Sequence, residues 1–201
     1  MSLFPQVQFQ KSVALPGQFP PDRGWEVAVA GRSNCGKSSA INALLMHGGL
    51  ARTSRTPGRT QLYNYFDLAP GRRLVDLPGY GHAKVPVAIR ETWGPLGEAL
   101  RQRQSFAALL LVVDSRRGVG DLDLGLLEWA GRPPETTHVL LSKSDKLARG
   151  QSMKALREAA AALDGIASVQ LFSAHSGAGL DEARKVLLRW TREHKEITPA
   201  V

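Results

Sequence analysis

The sequence predicts an α/β fold, a mixed, mostly parallel six-stranded sheet with helices on both faces. Three observations carry that expectation. Short apolar runs alternate with helix-period segments along the chain, the pattern of a parallel sheet covered on both sides. Two of the runs are joined only by Ala69-Pro70-Gly71, which makes one strand antiparallel. A Gly-rich stretch ending in Lys37-Ser38 lies between the first run and the first helical segment. With 201 residues, 43% of them hydrophobic, the chain suits one domain with a substantial core.

The elements follow in order. Residues 1–24, rich in Pro and Gln near their start, read as an extended lead-in packing on a domain that spans 25–201. Glu26-Val27-Ala28-Val29-Ala30 is too short for a helix and meets a Gly turn, so it reads as a buried strand. After Lys37, from Ser38 to Met46, the apolar residues fall at helical spacing, and Gly48-Gly49 ends them. Gln61 to Leu68 and Arg72 to Leu77 form the hairpin. A helix is expected over Val87 to Gln104, then a strand from Ala107 to Val113 and a helix from Asp121 to Ala130. The strand His138 to Leu141, the helix Ser152 to Leu163, the strand Ser168 to Phe172 and a helix from Leu180 to Lys195 close the chain. This is the layout of a Ras-like G domain within the P-loop NTPases.

Composition narrows the function. The longest apolar run, Phe106 to Val113, is too short to cross a bilayer, so no membrane role is expected. Met1 to Pro5 lack the pattern of a secretory signal, and the single cysteine, Cys35, fits a reducing cytoplasm. The net charge of +8 is uneven: between Gly31 and Thr60 stand Arg32, Lys37, Arg52, Arg55 and Arg59 without an acid. Together with Arg72, Arg73, Arg116 and Arg117 they suit a polyanion such as RNA, although a solvated basic surface accounts for them equally.

Gly31, Arg32, Ser33, Asn34, Cys35, Gly36, Lys37 and Ser38 match G-x-x-x-x-G-K-[ST] in the strand–turn–helix setting that phosphate binding needs. The glycines let successive N–H groups point at phosphate oxygens, and the helix N-terminus adds positive charge. Lys37 is expected to reach the β- and γ-phosphates and Ser38 to ligate Mg²⁺. Cys35, near Lys37 and a helix start, has neighbours that lower a thiol's pKa, yet it reads best as a small apolar filler under the loop.

Three later segments select guanine. Asp76, Leu77, Pro78 and Gly79 match D-x-x-G, with Asp76 holding Mg²⁺ through water and the Gly79 N–H sensing a γ-phosphate. Ser142, Lys143, Ser144 and Asp145 stand where [NT]-K-x-D is expected. There Asp145 accepts guanine N1–H and N2–H₂, Lys143 lays its stem on the base, and Ser142 braces the loop in place of Asn or Thr. Phe172, Ser173 and Ala174 end the next strand and bring the Ala174 N–H to guanine O6. Thr53 to Gln61, between the first helix and the hairpin, form the first switch, and Gly58, Arg59, Thr60, Gln61 and the adjoining Leu62 are expected at the nucleotide. Thr60 is preferred over Thr53 and Thr56 as the second Mg²⁺ ligand because it adjoins the strand.

On the stretches Glu26 to Ser39, Thr56-Pro-Gly-Arg-Thr-Gln61 and Asp76-Leu-Pro-Gly-Tyr-Gly81, the chain resembles the EngB (YsxC/YihA-type) ribosome-biogenesis GTPases of the TrmE-Era-EngA-EngB-Septin-like class. The resemblance covers nearly the whole chain, with Ser142 and Cys35 as modest departures. It implies a cytoplasmic, monomeric GTPase that uses GTP, GDP and Mg²⁺, acts in assembly of the large (50S) ribosomal subunit on rRNA and ribosomal proteins, and is linked to cell division and septation. Tyr80 stands where a water-orienting Gln follows D-x-x-G in Ras-like proteins, so slow turnover is expected. The loop position of Asn34 resembles that of potassium-dependent G proteins, so Asn34 joins Lys37 and Thr60 as a catalytic candidate holding K⁺; the alternative is that it only caps the loop. His82 is a further candidate for placing water, although an exposed switch histidine without a catalytic role is the favoured reading, and Arg59 either stabilises charge, contacts RNA or orders the switch. A GTP-dependent ribosome tether with negligible hydrolysis is the rival function, and a small-molecule kinase is disfavoured because it needs no guanine-reading segment.

Overall fold

The computed structural model describes residues 4–51, 62–81 and 89–192, with side chains left aside at 89–93 and 192. A seven-stranded sheet runs in the order β1-β3-β4-β2-β5-β6-β7. Its strands are β1 (Gln8–Val13), β2 (Trp25–Gly31), β3 (Tyr63–Ala69), β4 (Arg72–Asp76), β5 (Phe106–Asp114), β6 (Thr137–Ser142) and β7 (Ser168–Leu171). The helices are α1 (Lys37–Leu45), α2 (Ile89–Arg101), α3 (Asp121–Ala130), α4 (Arg149–Ala162) and α5 (Leu180–Arg192).

The central strands β2, β5 and β6 are buried along almost their whole length, as parallel strands covered on both faces must be. Alternate residues feed two cores. Ala28, Leu109 and Leu111 face one, with Leu126 of α3 and Leu163 beside them. Val27, Leu110 and Val112 face the other, with Ile41 and Leu44 of α1 and Leu187 and Trp190 of α5. The expected hairpin is present: β3 pairs antiparallel with β4, which runs parallel to β2. Its turn sits against the lead-in so closely that a Cβ on Gly24 would lie 2.1 Å from the Gly71 carbonyl oxygen.

Six strands were expected and seven are found. Gln8–Val13, read as part of the extended lead-in, pairs antiparallel with β3 at the sheet edge. Only Val13 of the strand is buried. Its formation rests on main-chain pairing and on contacts such as Ser12 Oγ to Asn64 Oδ1 (2.7 Å), which leave no apolar alternation to read. The rest of the lead-in is tied down by a buried ionic cluster. Glu26, fully buried on β2, accepts from Arg103 Nε (3.0 Å) and Nη2 (2.9 Å) and lies 3.3 Å from Arg73 Nε. The two guanidinium groups also donate to the carbonyls of Pro20, Pro21 and Arg23.

The helix expected over Val87 to Gln104 is broken within α2 at Gly94 (φ 49°, ψ −145°), just before Pro95. Pro95 lacks an N–H and disfavours helical backbone in its predecessor, and glycine can take the positive φ that results. α4 begins at Arg149, three residues before the expected Ser152, because Ala148 and Gln151 cap it there (N–H to Oε1, 3.2 Å). Among the described residues no helix is long and apolar enough to cross a membrane.

Candidate nucleotide site

The motif residues converge at the C-terminal ends of the parallel strands, where open α/β sheets bind ligands. The phosphate loop leaves β2 at Gly31, where a Cβ would lie 2.6 Å from Cys35 Sγ and 2.7 Å from the Val112 carbonyl oxygen. Asn34 (φ 63°) and Gly36 (φ 96°) turn the backbone through left-handed conformations before α1 starts at Lys37. Cys35 packs inward at 3% exposure, and burial pushes its thiol up to about 11 despite the nearby Lys37. The thiol is therefore neutral and inert near pH 7, in agreement with a filler role. Lys37 Nζ contacts Asp76 Oδ1 directly, and Asp76 stands opposite Val29 in the β2–β4 pairing.

The segment after D-x-x-G is fastened to this loop. Tyr80 N–H donates to the Gly31 carbonyl (3.3 Å), and Ser33 N–H donates to the Tyr80 carbonyl (3.0 Å). Gly79 passes so near that a Cβ would lie 2.9 Å from Ser33 Oγ. The Tyr80 ring is buried, and its hydroxyl donates to Asp123 Oδ1 of α3 (2.5 Å), whose Oδ2 accepts from Gly120 N–H (2.9 Å). Burial and the Asp123 charge raise the phenol's pKa, so it stays protonated. Tyr80 thus faces α3 and leaves its main chain to the phosphate loop.

The expected base-reading segment is stitched to the same loop. Ser142 Oγ donates to the Cys35 carbonyl (2.5 Å), and Lys143 Nζ donates to the Asn34 carbonyl (2.6 Å). Lys143 has left-handed backbone (φ 56°) and pairs with Asp114 Oδ2 (3.0 Å), the last residue of β5. Asp145 Oδ1 accepts from Ser173 Oγ (2.6 Å), which holds its carboxyl below the usual carboxylate range, and Lys146 lies 3.2 Å from the other oxygen. Ser173 Oγ in turn accepts from the N–H groups of His175 and Ser176, and Ser144 N–H donates to the Phe172 carbonyl (3.2 Å). Asp145 and the turn at Ala174 therefore share one hydrogen-bonded unit.

Several expected site residues have side chains in the core and offer only main chain to a ligand. Cys35, Leu77 and Phe172 are of this kind. Leu62 and Pro78 are half-buried beside the site. Gly58, Arg59, Thr60 and Gln61, with Thr53, Thr56 and His82, lie outside the described residues. Two acidic residues were not singled out from the sequence: Asp114, which binds Lys143 and Arg116, and Asp123, which binds Tyr80. A carboxylate closing the buried strand β5 was a legible signal for the first. Nothing local marked the second.

The family model described as "50S ribosome-binding GTPase" matches residues 26–144. The "Probable GTP-binding protein EngB" of Methylococcus capsulatus is 48% identical over 201 residues, covering 96% of this chain and 96% of that protein. Among solved structures, a probable GTP-binding protein engB superposes with a TM-score of 0.62 at 21% identity, over 84% of this chain and all of the other. Era in complex with MgGDPNP and nucleotides 1506–1542 of 16S ribosomal RNA superposes with a TM-score of 0.61 at 22% identity, over 88% of this chain and 60% of Era. These two likenesses concern the fold.

Proposed function

The chain belongs to the EngB family of GTP-binding proteins, P-loop GTPases, and from that premise we propose that it is a slow, Mg²⁺-dependent switch in large ribosomal subunit assembly. It acts as a cytoplasmic monomer, gripping rRNA or ribosomal protein of an assembly precursor with GTP bound and releasing it after hydrolysis. A link to normal division and septation follows from stalled assembly.

One observation supports the switch above all: Ser33 N–H is donated to the Tyr80 carbonyl. A phosphate oxygen seated in the loop competes for that same donor. Phosphate binding and the position of the D-x-x-G segment are thereby two outcomes of one hydrogen bond, the bistable element a switch requires. Through its hydroxyl, Tyr80 carries the change to Asp123 and α3.

The nucleotide's phosphates take the N–H groups of residues 33–38 and the Lys37 ammonium, which then shares its charge with Asp76. Asp145 reads guanine N1–H and N2–H₂, Ala174 N–H meets O6, and Lys143 lies on the base. Hard oxygen donors suit Mg²⁺, and Ser38 at the start of α1 with Asp76, which contacts the adjacent Lys37, offers them. Ser38 and Thr60 would hold the ion directly and Asp76 through water; when bound, it neutralises charge on the β- and γ-phosphates. The Asn34 side chain makes no hydrogen bond to another described residue and is free to hold K⁺; equal GTPase rates in KCl and NaCl would overturn that role.

The Tyr80 phenol, buried and directed to Asp123 of α3, also favours a second reading, a GTP-dependent tether whose hydrolysis has no functional weight. Single-turnover hydrolysis with and without purified large subunits separates the two. Stimulation by subunits is expected for the switch, and none for the tether. Co-sedimentation with subunits should be stronger with a non-hydrolysable GTP analogue than with GDP; equal retention removes the switch altogether.

A further inference from the structure

We infer that Asp114 is a positioning residue that holds Lys143 in place for the guanine base and so sets the affinity for guanine nucleotides. This rests on the proposal that the Lys143 stem lies on the base. Asp114 ends β5 directly opposite Ser142 in the β5–β6 register and is 6% exposed. One carboxylate oxygen lies 3.0 Å from Lys143 Nζ, which also donates to the Asn34 carbonyl at 2.6 Å. The ammonium is thus held from two sides, by β5 and by the phosphate loop. Its stem crosses Gly36, where a Cβ would lie 3.6 Å from Lys143 Cε.

The carboxylate is itself fixed. Arg116 grips it with Nε to Oδ1 (2.9 Å) and Nη2 to Oδ2 (2.7 Å), and the Arg116 N–H adds a third bond to Oδ1 (3.1 Å). Burial would raise the Asp114 carboxyl, but the bonds from Arg116 and Lys143 outweigh it and keep it ionised well below the usual carboxylate range. Charge completes the argument. A lysine beside a phosphate loop is attracted to the nucleotide's phosphates, and its ammonium reaches them by swinging its stem off the base. The Asp114 carboxylate opposes that pull. It also orders a flexible side chain before the nucleotide arrives, so less freedom is lost on binding.

The test is a double-mutant cycle on the full chain with D114N, K143M and the pair, reading fluorescent GDP and GTP affinity and the kcat/KM split. D114N is expected to weaken both nucleotides by about tenfold, the scale of a charge-assisted hydrogen bond, with kcat kept at saturation. On a logarithmic scale that loss should fall by more than half in the K143M background. An equal loss in both backgrounds, a loss under about threefold in the parent, or a fall in kcat with KM unchanged overturns the inference. Should D114N fail to fold, judged by its thermal melt, D114E keeps the charge but displaces it by one methylene and enters the same cycle under the same criterion. If K143M alone leaves affinity unchanged, the base contact itself is wrong; if K143M weakens binding and D114N does not, only the role of Asp114 is.

Discussion

Two buried polar side chains illustrate how single residues decide behaviour in this fold. His138 on β6 bonds through Nε2 to Gln170 Oε1 (3.0 Å), which can only accept, so Nε2 carries the proton and Nδ1 accepts from Ser168 Oγ (2.7 Å). Burial lowers its pKa from the ordinary 6.5 to about 4, the Gln170 bond opposing and the Arg189 charge reinforcing that shift. The unfolded chain therefore takes up a proton that the folded chain refuses between those values. Stability contributed by neutral His138 is fully present above pH 6.5 and is lost as pH falls to about 4. Urea melts should show a slope of up to about 1.4 kcal/mol per pH unit from this group. His138→Gln should flatten the curve between those pH values; an unchanged slope would refute the assignment. Tyr80→Phe strands Asp123 Oδ1 in the core and is expected to cost about 1–3 kcal/mol. That lowers Tm by roughly 2–4 °C per kcal/mol in a chain of this size. Because the hydroxyl faces α3, single-turnover hydrolysis should survive; a loss of about 100-fold, the scale of a general acid–base group, would put the phenol in the chemistry instead.

At the scale of elements, the buried ionic cluster fastens the lead-in to the sheet. Glu26→Gln leaves Arg103 and Arg73 short of their counter-charge in a buried setting, with an expected cost of about 3–5 kcal/mol in a denaturant melt. Near-parent stability would mean that the carbonyls of Pro20, Pro21 and Arg23 suffice for the two guanidinium groups. The same elements show what could be read in advance. β2, β5 and β6 were legible because strands buried on both faces must be apolar throughout, and α3 was legible at Asp121–Ala130 because glycines stand at both of its ends. β1 was not, since an edge strand with one buried residue carries no pattern. The break in α2 is written in Gly94-Pro95, a dipeptide whose backbone demands override the helical period around it. The site divides in the same way. Phosphate loop, D-x-x-G and S-K-S-D are contiguous and visible in the sequence. Asp114 and Asp123 matter only because strand register and helix packing carry them to Lys143 and Tyr80.

For the whole molecule, the question is whether a net charge of +8 serves a partner or only solubility. Some of the arginines are spoken for inside the fold: Arg73 and Arg103 in the Glu26 cluster, and Arg132 over the Phe106 ring. Arg117, in contrast, lies exposed on the turn between β5 and α3 beside the phosphate loop, and Arg116, although paired with Asp114, is half-exposed next to it. If they and their neighbours contact rRNA phosphates, log affinity for large subunits must fall linearly with log salt, by roughly 0.7–0.9 per phosphate neutralised. A negative slope is expected, and one of about −3 would mean that three or four cations take part. If the nucleotide acts elsewhere, through Ser33 and the D-x-x-G segment as proposed, a GTP analogue and GDP should give parallel lines with the analogue's displaced to tighter binding. A flat line would reduce the basic surface to a solubility device. Lines that diverge in slope would show that the switch itself moves cations onto the RNA.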